Sequence, residues 1–146
     1  MRHRMSWRLA GIVGTVCLLT SMAAAQAPSF VGIWRCQTTM TGAGGYAVAI
    51  FIEDVFQPDG NFSSLTNSKY ASGPAAGGVI GAVQASGTYT VDAAQGIIAF
   101  HNTSSSSTQP TNVPDAEYDR FQFISPTMFT LQAMSGGPML TFNKVQ

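Results

Sequence analysis

The sequence predicts an all-β fold, an eight-stranded antiparallel up-and-down β-barrel, on three observations. From Phe30 onward, apolar and polar residues alternate with the period of two that a half-buried strand requires, not the 3.6 of a helix. Turn-forming Gly, Pro, Asn, Asp and Ser interrupt that alternation at regular intervals. The connections are too short to hold the crossover that a parallel pair needs, so successive strands pair as hairpins.

The first strand, Gly32 to Thr41, sets Trp34, Cys36, Thr38 and Met40 on one face and Ile33, Arg35, Gln37 and Thr39 on the other, before a Gly42-Ala43-Gly44-Gly45 turn. Tyr46 to Gln57 is the second, with Val48, Ile50 and Ile52 facing one way. Pro58-Asp59-Gly60-Asn61 then supplies a preset φ, an Asx side chain that bonds local backbone and a glycine free to take positive φ. Asn61 to Asn67 is the third strand, and Ser68 to Gly78 is a loop rich in Gly, Ala and Ser. In the fourth, Val79 to Asp92, Tyr89 and Val91 alternate with Thr88 and Thr90, while Gly81 and Gly87 mark bends or a bulge. Ile97 to Thr103 is the fifth strand. The polar stretch Ser104 to Glu117, with four consecutive Ser, Pro110 and Pro114, lacks apolar periodicity and reads as a long loop. Tyr118 to Ser125, Thr127 to Met134 and Pro138 to Val145 complete the set, separated by Ser125-Pro126 and Ser135-Gly136-Gly137.

Closing an eight-stranded meander on itself removes both unpaired edges, which favours a barrel over the alternative, a two-sheet β-sandwich with edges that the sequence does not protect. The inward face then carries Trp34, Cys36, Tyr89, Phe100, Phe121, Phe123, Phe129 and Phe142, with Leu131 and Leu140. An eight-stranded barrel is just wide enough either to be filled by such side chains or to hold one small ligand. Ala85, Gly87 and Ala133 are the residues that leave room among the large ones.

The chain divides at its N-terminus. Arg2, Arg4 and Arg8 precede an uncharged run from Leu9 to Ala25 that ends in Ala23-Ala24-Ala25, the layout of a secretory signal peptide. Residues 1–25 are therefore expected to be removed, leaving 26–146 as a single domain and a secreted localisation, periplasmic in a Gram-negative cell. That domain carries Arg35, Lys69, Arg120 and Lys144 against seven carboxylates, a net charge of 4 − 7 = −3. Four scattered cations are the wrong footprint for nucleic acid, which needs clustered Lys and Arg to neutralise phosphates. The only apolar run approaching membrane-span length is the signal itself. Cys36 is the one cysteine left after cleavage, so no intrachain disulfide forms, and a buried thiol is expected.

The segment Phe30-Val31-Gly32-Ile33-Trp34 opens the first strand with a Gly-x-Trp, which resembles the start of lipocalin and other calycin barrels. Phe56-Gln57-Pro58-Asp59-Gly60-Asn61-Phe62 and Ser86-Gly87-Thr88-Tyr89-Thr90-Val91 are similar to hairpins of small bacterial secreted lipocalin-like proteins. The resemblance implies that Trp34, after Gly32, closes the barrel floor, covered by a basic side chain from the last strand, for which Lys144 is the candidate. Avidin-like proteins share the barrel and the Gly-x-Trp, but their biotin pocket resembles a cage of several Trp residues, and Trp34 is the only one here after cleavage.

The inventory for catalysis is thin. Cys36 and His101 form the only thiol and imidazole pair in the mature chain, and strand alternation puts His101 outside if Phe100 points in. No His, Cys and carboxylate cluster has metal-ligand spacing, so neither a metal nor a cofactor is expected. The acidic groups Glu53-Asp54 and Asp115, Glu117, Asp119 are expected in solvent, since charged residues are rarely fully buried, and at most one of the adjacent Glu53 and Asp54 enters the barrel. Asn61-Phe62-Ser63 and Asn102-Thr103-Ser104 match the N-glycosylation pattern. The function expected on these grounds is non-catalytic binding of an apolar or amphipathic small molecule, with the inward aromatics as the ligand-binding wall. The alternative is a protein-interaction or hydrolase-inhibitor module whose partner is held by loop 104–117.

Overall fold

The computed structural model describes residues 27–110 and 112–145; the expected signal peptide, 1–25, lies outside them. Eight antiparallel strands follow one another around a closed barrel: β1 (Gly32–Thr41), β2 (Ala47–Phe56), β3 (Asn61–Tyr70), β4 (Val79–Asp92), β5 (Ile97–Ser107), β6 (Ala116–Ser125), β7 (Met128–Ala133) and β8 (Leu140–Lys144). Closure is made where Trp34 pairs with Lys144 and Arg35 with Asn143, extended by Val145 N–H donating to the Ile33 carbonyl at 2.8 Å. This is the up-and-down topology expected from the turn spacing, and it is consistent with a calycin-like fold.

Strand phase follows the sequence pattern, but two polar strand ends run further than expected. β5 continues through the serine run, pairing Ser104 with Ser86 and Ser107 with Val83 on the long β4, so the connection to β6 shrinks to residues 108–115. The pairing here is backbone alone: Ser104 to Ser107 are exposed, and exposed side chains at the rim show no apolar alternation. For the same reason β3 runs on to Tyr70 instead of ending at Asn67. Gly87 sits at the bulge where β4 slips against β5, and a Cβ there would lie 1.8 Å from the His101 carbonyl oxygen, so only glycine fits. Two further irregularities fall between Ser68 and Lys69, opposite Gly81, and between Phe123 and Ser125 where β6 pairs with β7.

The floor of the barrel is a packed aromatic block. Phe30, just before β1, inserts beneath the strands with ring centroids 4.8 to 5.4 Å from Phe56, Phe121, Phe123 and Phe129. Gly32, at φ 132°, makes the turn from this plug into β1. Trp34 is 0% exposed; it packs edge-on against Phe129 at 4.7 Å, and its Nε1–H donates to the Phe30 carbonyl. Lys144 Nζ lies 5.2 Å from the Trp34 ring centroid, where the ammonium meets the negative face of the indole. Lys144 of β8 is thus the last-strand cation that lies over Trp34. On the outside, Arg35 bonds Glu53 at 2.7 Å, an exposed pair worth at most about 1 kcal/mol.

Cys36 is 2% exposed on the inward face of β1, and burial raises its thiol pKa, so the nucleophilic thiolate is scarce. A thiol reagent such as an aromatic disulfide should therefore modify Cys36 only after denaturation. Rapid reaction of the native protein would contradict this packing.

Candidate functional site

The barrel interior changes character along its axis. Near the floor the inward residues are large: Trp34, Phe56, Phe129 and Phe142 leave almost no exposed surface. Higher up, β3, β4 and β5 contribute Ser64, Thr66, Ala85 and Asn102, which are too small to meet across the lumen. A cavity of about 330 Å³ remains, walled by aliphatic and aromatic side chains that include Ile52, Phe62, Phe100, Leu131 and Phe142.

At the base of this cavity stand two aspartates. Asp54 on β2 lies two residues above Phe56, and Asp119 on β6 two above Phe121, so each follows the inward phase of its strand. β2 and β6 are four strands apart in a closed ring of eight and so face each other across the lumen. Each aspartate is only 6% exposed, and each has an Oδ1 without a hydrogen-bond partner. Glu117, one inward step above Asp119, also lines the cavity. The sequence expectation that these carboxylates are solvated is thus corrected for Asp54 and Asp119. Glu53 and Asp115 do sit at the surface side, Glu53 paired with Arg35.

Burial drives the electrostatics. Desolvation lifts the Asp54 carboxyl to about 6, opposed in part by its cross-strand neighbour Ser64, with repulsion from Glu117 and Glu53 adding to the rise. Desolvation, then Glu117 and Asp54, lifts Asp119 to about 7. Both acids hold protons far above the usual carboxylate range, because ionising either places a charge where burial strips it of water and the neighbouring charges are of the same sign.

The connection from β5 to β6 reaches this cavity through residues 112–114. Asn112, Val113 and Pro114 line its rim, and the loop is tied to β5 by Asn102, whose Nδ2 donates to the Pro114 carbonyl at 2.7 Å and whose N–H donates to the Asp115 carbonyl at 2.9 Å. Of the inward residues chosen from the sequence, Phe100, Leu131, Leu140 and Phe142 line the cavity. Trp34, Cys36 and Phe129 are sealed in the packed core around and beneath it. Tyr89, Phe121 and Phe123 border a separate apolar groove of about 570 Å³ at the opposite end, against Phe30 and residues 27–29. That groove has no carboxylate, and its one phenol, Tyr89, already donates to the Gln57 carbonyl at 3.0 Å. His101 is exposed while Cys36 is buried, so the wall of the barrel stands between thiol and imidazole. No protein-family model matches this chain, and no curated protein matches it.

Proposed function

We propose that this protein is a small secreted lipocalin-like barrel that binds an apolar or amphipathic small molecule in the cavity above its aromatic floor, without chemical transformation. The observation that carries this reading is a barrel filled at one end and hollow at the other, with apolar walls and a few convergent polar groups, the usual composition of a small-molecule site. The signal-like N-terminus supports secretion. Gly32, Trp34 and Lys144 support the lipocalin-like assignment. A binding role also suits the acids present. Paired-carboxylate hydrolysis sets its two acids among polar sugar-binding contacts, whereas here the walls are largely apolar.

Native mass spectrometry of the mature protein, purified from its own secretory compartment and compared with the denatured chain, tests this reading. A small-molecule adduct is expected, and it should disappear in Ala85→Phe, which places a ring in the cavity while the floor stays intact. A bare native mass, together with no thermal stabilisation by any member of an amphiphile panel, would overturn it, since ligand at about 100 times Kd adds about 2.7 kcal/mol.

A further inference from the structure

We propose that the ligand is a cationic amphiphile, an organic ammonium whose charge sits between Asp54 and Asp119 and whose hydrocarbon body lies against Phe62, Phe100 and Phe142. This rests on the small-molecule reading above and narrows it to a charge class.

Two buried carboxylates, each with an unpartnered oxygen, line one cavity from opposite strands of the ring, and a third acid, Glu117, lines it too. A buried acceptor without a donor costs stability, so a structure that retains two of them at one place has a use for them there. Among the described residues the chain offers them no cationic partner. Lys144 lies over Trp34, Arg35 is bonded to Glu53, and Lys69 and Arg120 are exposed on the outer wall. The missing partner is a positive donor, and an ammonium supplies both the charge and the N–H groups. Apart from Ser64, Thr66, Asn102 and Asn112, the remaining wall is hydrocarbon, with phenyl rings against which a cation and an alkyl or aryl body are both favourable. A bare metal ion would leave that wall unused. Among the described residues no three His, Cys, Asp or Glu side chains come together to hold one.

Binding then moves protons. The groups facing the aspartates are Cys36 from β1, Glu117 from β6 and each other; Ser64 from β3 does not titrate, and His101 of β5 points outward. None is cationic. A bound ammonium lowers both carboxyl pKa values, and at pH 7 the pair must release protons to the buffer.

Isothermal titration calorimetry of the mature protein with 4-phenylbutylammonium, 4-phenylbutanol and 4-phenylbutanoate separates charge from shape. The ammonium should bind at least about tenfold more tightly than the alcohol, with the carboxylate weakest. Its heat at pH 7 should depend on the ionisation enthalpy of the buffer, the sign of proton release. Asp54→Asn and Asp119→Asn should each lower the ratio of ammonium to alcohol affinity. If either variant fails to fold, the proton release of the unsubstituted protein decides alone. Alcohol or carboxylate binding as tightly as the ammonium would overturn the charge assignment and leave the small-molecule reading standing. Ammonium binding without proton release would overturn the charge assignment in the same way. Failure of all three probes to bind would overturn the charge assignment, and the native mass and the amphiphile panel then decide the small-molecule reading.

Discussion

At pH 8, Asp54→Asn should make the ligand-free protein more stable than the unsubstituted chain, by roughly 1 to 3 kcal/mol. Asp54 is ionised at that pH in a site that raises its carboxyl to about 6 in the folded state, from 3.8 as the ordinary value. A tenfold change in proton affinity corresponds to about 1.4 kcal/mol, so the buried charge costs on the order of 3 kcal/mol once fully formed, less whatever relaxation and water recover. A carboxyl whose folded pKa is raised binds more protons folded than unfolded. Its contribution to stability is therefore greatest below about pH 4 and is lost as pH rises through 6 for Asp54 and through 7 for Asp119. The unsubstituted protein should lose stability between pH 4 and 8, and Asp54→Asn should flatten much of that slope. Urea unfolding at pH 5 and pH 8 measures it, with a higher midpoint at pH 8 and an unchanged slope m in the variant. A variant less stable at pH 8 than its parent would mean that the Asp54 carboxylate already has a stabilising partner. A cation in the cavity should act in the same direction as the substitution, by neutralising the charge that costs the fold.

Trp34→Ala should be the most damaging single substitution in the barrel, costing about 3 to 5 kcal/mol, the range for removing a fully buried large aromatic. Trp34 is 0% exposed and ties three parts of the floor together: the Phe30 plug through its Nε1–H, Phe129 of β7 through ring contact, and Lys144 of β8 through its face. A domain with about 5 to 15 kcal/mol of total stability loses a large part of it in that one change. Lys144→Met, by contrast, removes the cation but keeps most of the hydrocarbon cover and should cost only about 1 kcal/mol. Equilibrium unfolding of both variants checks the ranking. Comparable losses would show that the cation contributes as much to the floor as the indole itself.

The strands were legible because alternation is a property of neighbours. Val48, Ile50 and Ile52 set the phase of β2, as Phe121 and Phe123 set that of β6, and β1 keeps Trp34 and Cys36 inside as its pattern indicates. The same phase, continued through the acids, places Asp54 between inward Ile52 and Phe56, and Asp119 two residues before Phe121. That signal was present, but it competes with the strong tendency of carboxylates to stay in water, and local pattern alone does not say which prevails. The serine run of β5 was illegible for a different reason. Its strand is held by backbone pairing to β4 at an exposed rim, where side chains have no inside to choose.

Phe30 shows the limit most clearly. It precedes the first strand and belongs to no alternation, yet it touches Phe56, Phe121, Phe123 and Phe129 because closure brings β2, β6 and β7 around it. The order of strands, their faces and the Gly-x-Trp entrance follow from residues near one another in the chain, since period-two alternation and turn chemistry act over a few residues. The division of the interior into a packed floor and a cavity, and the placing of Asp54 and Asp119 on that one cavity, depend on which side chains converge from opposite walls. That convergence exists only once the sheet has closed.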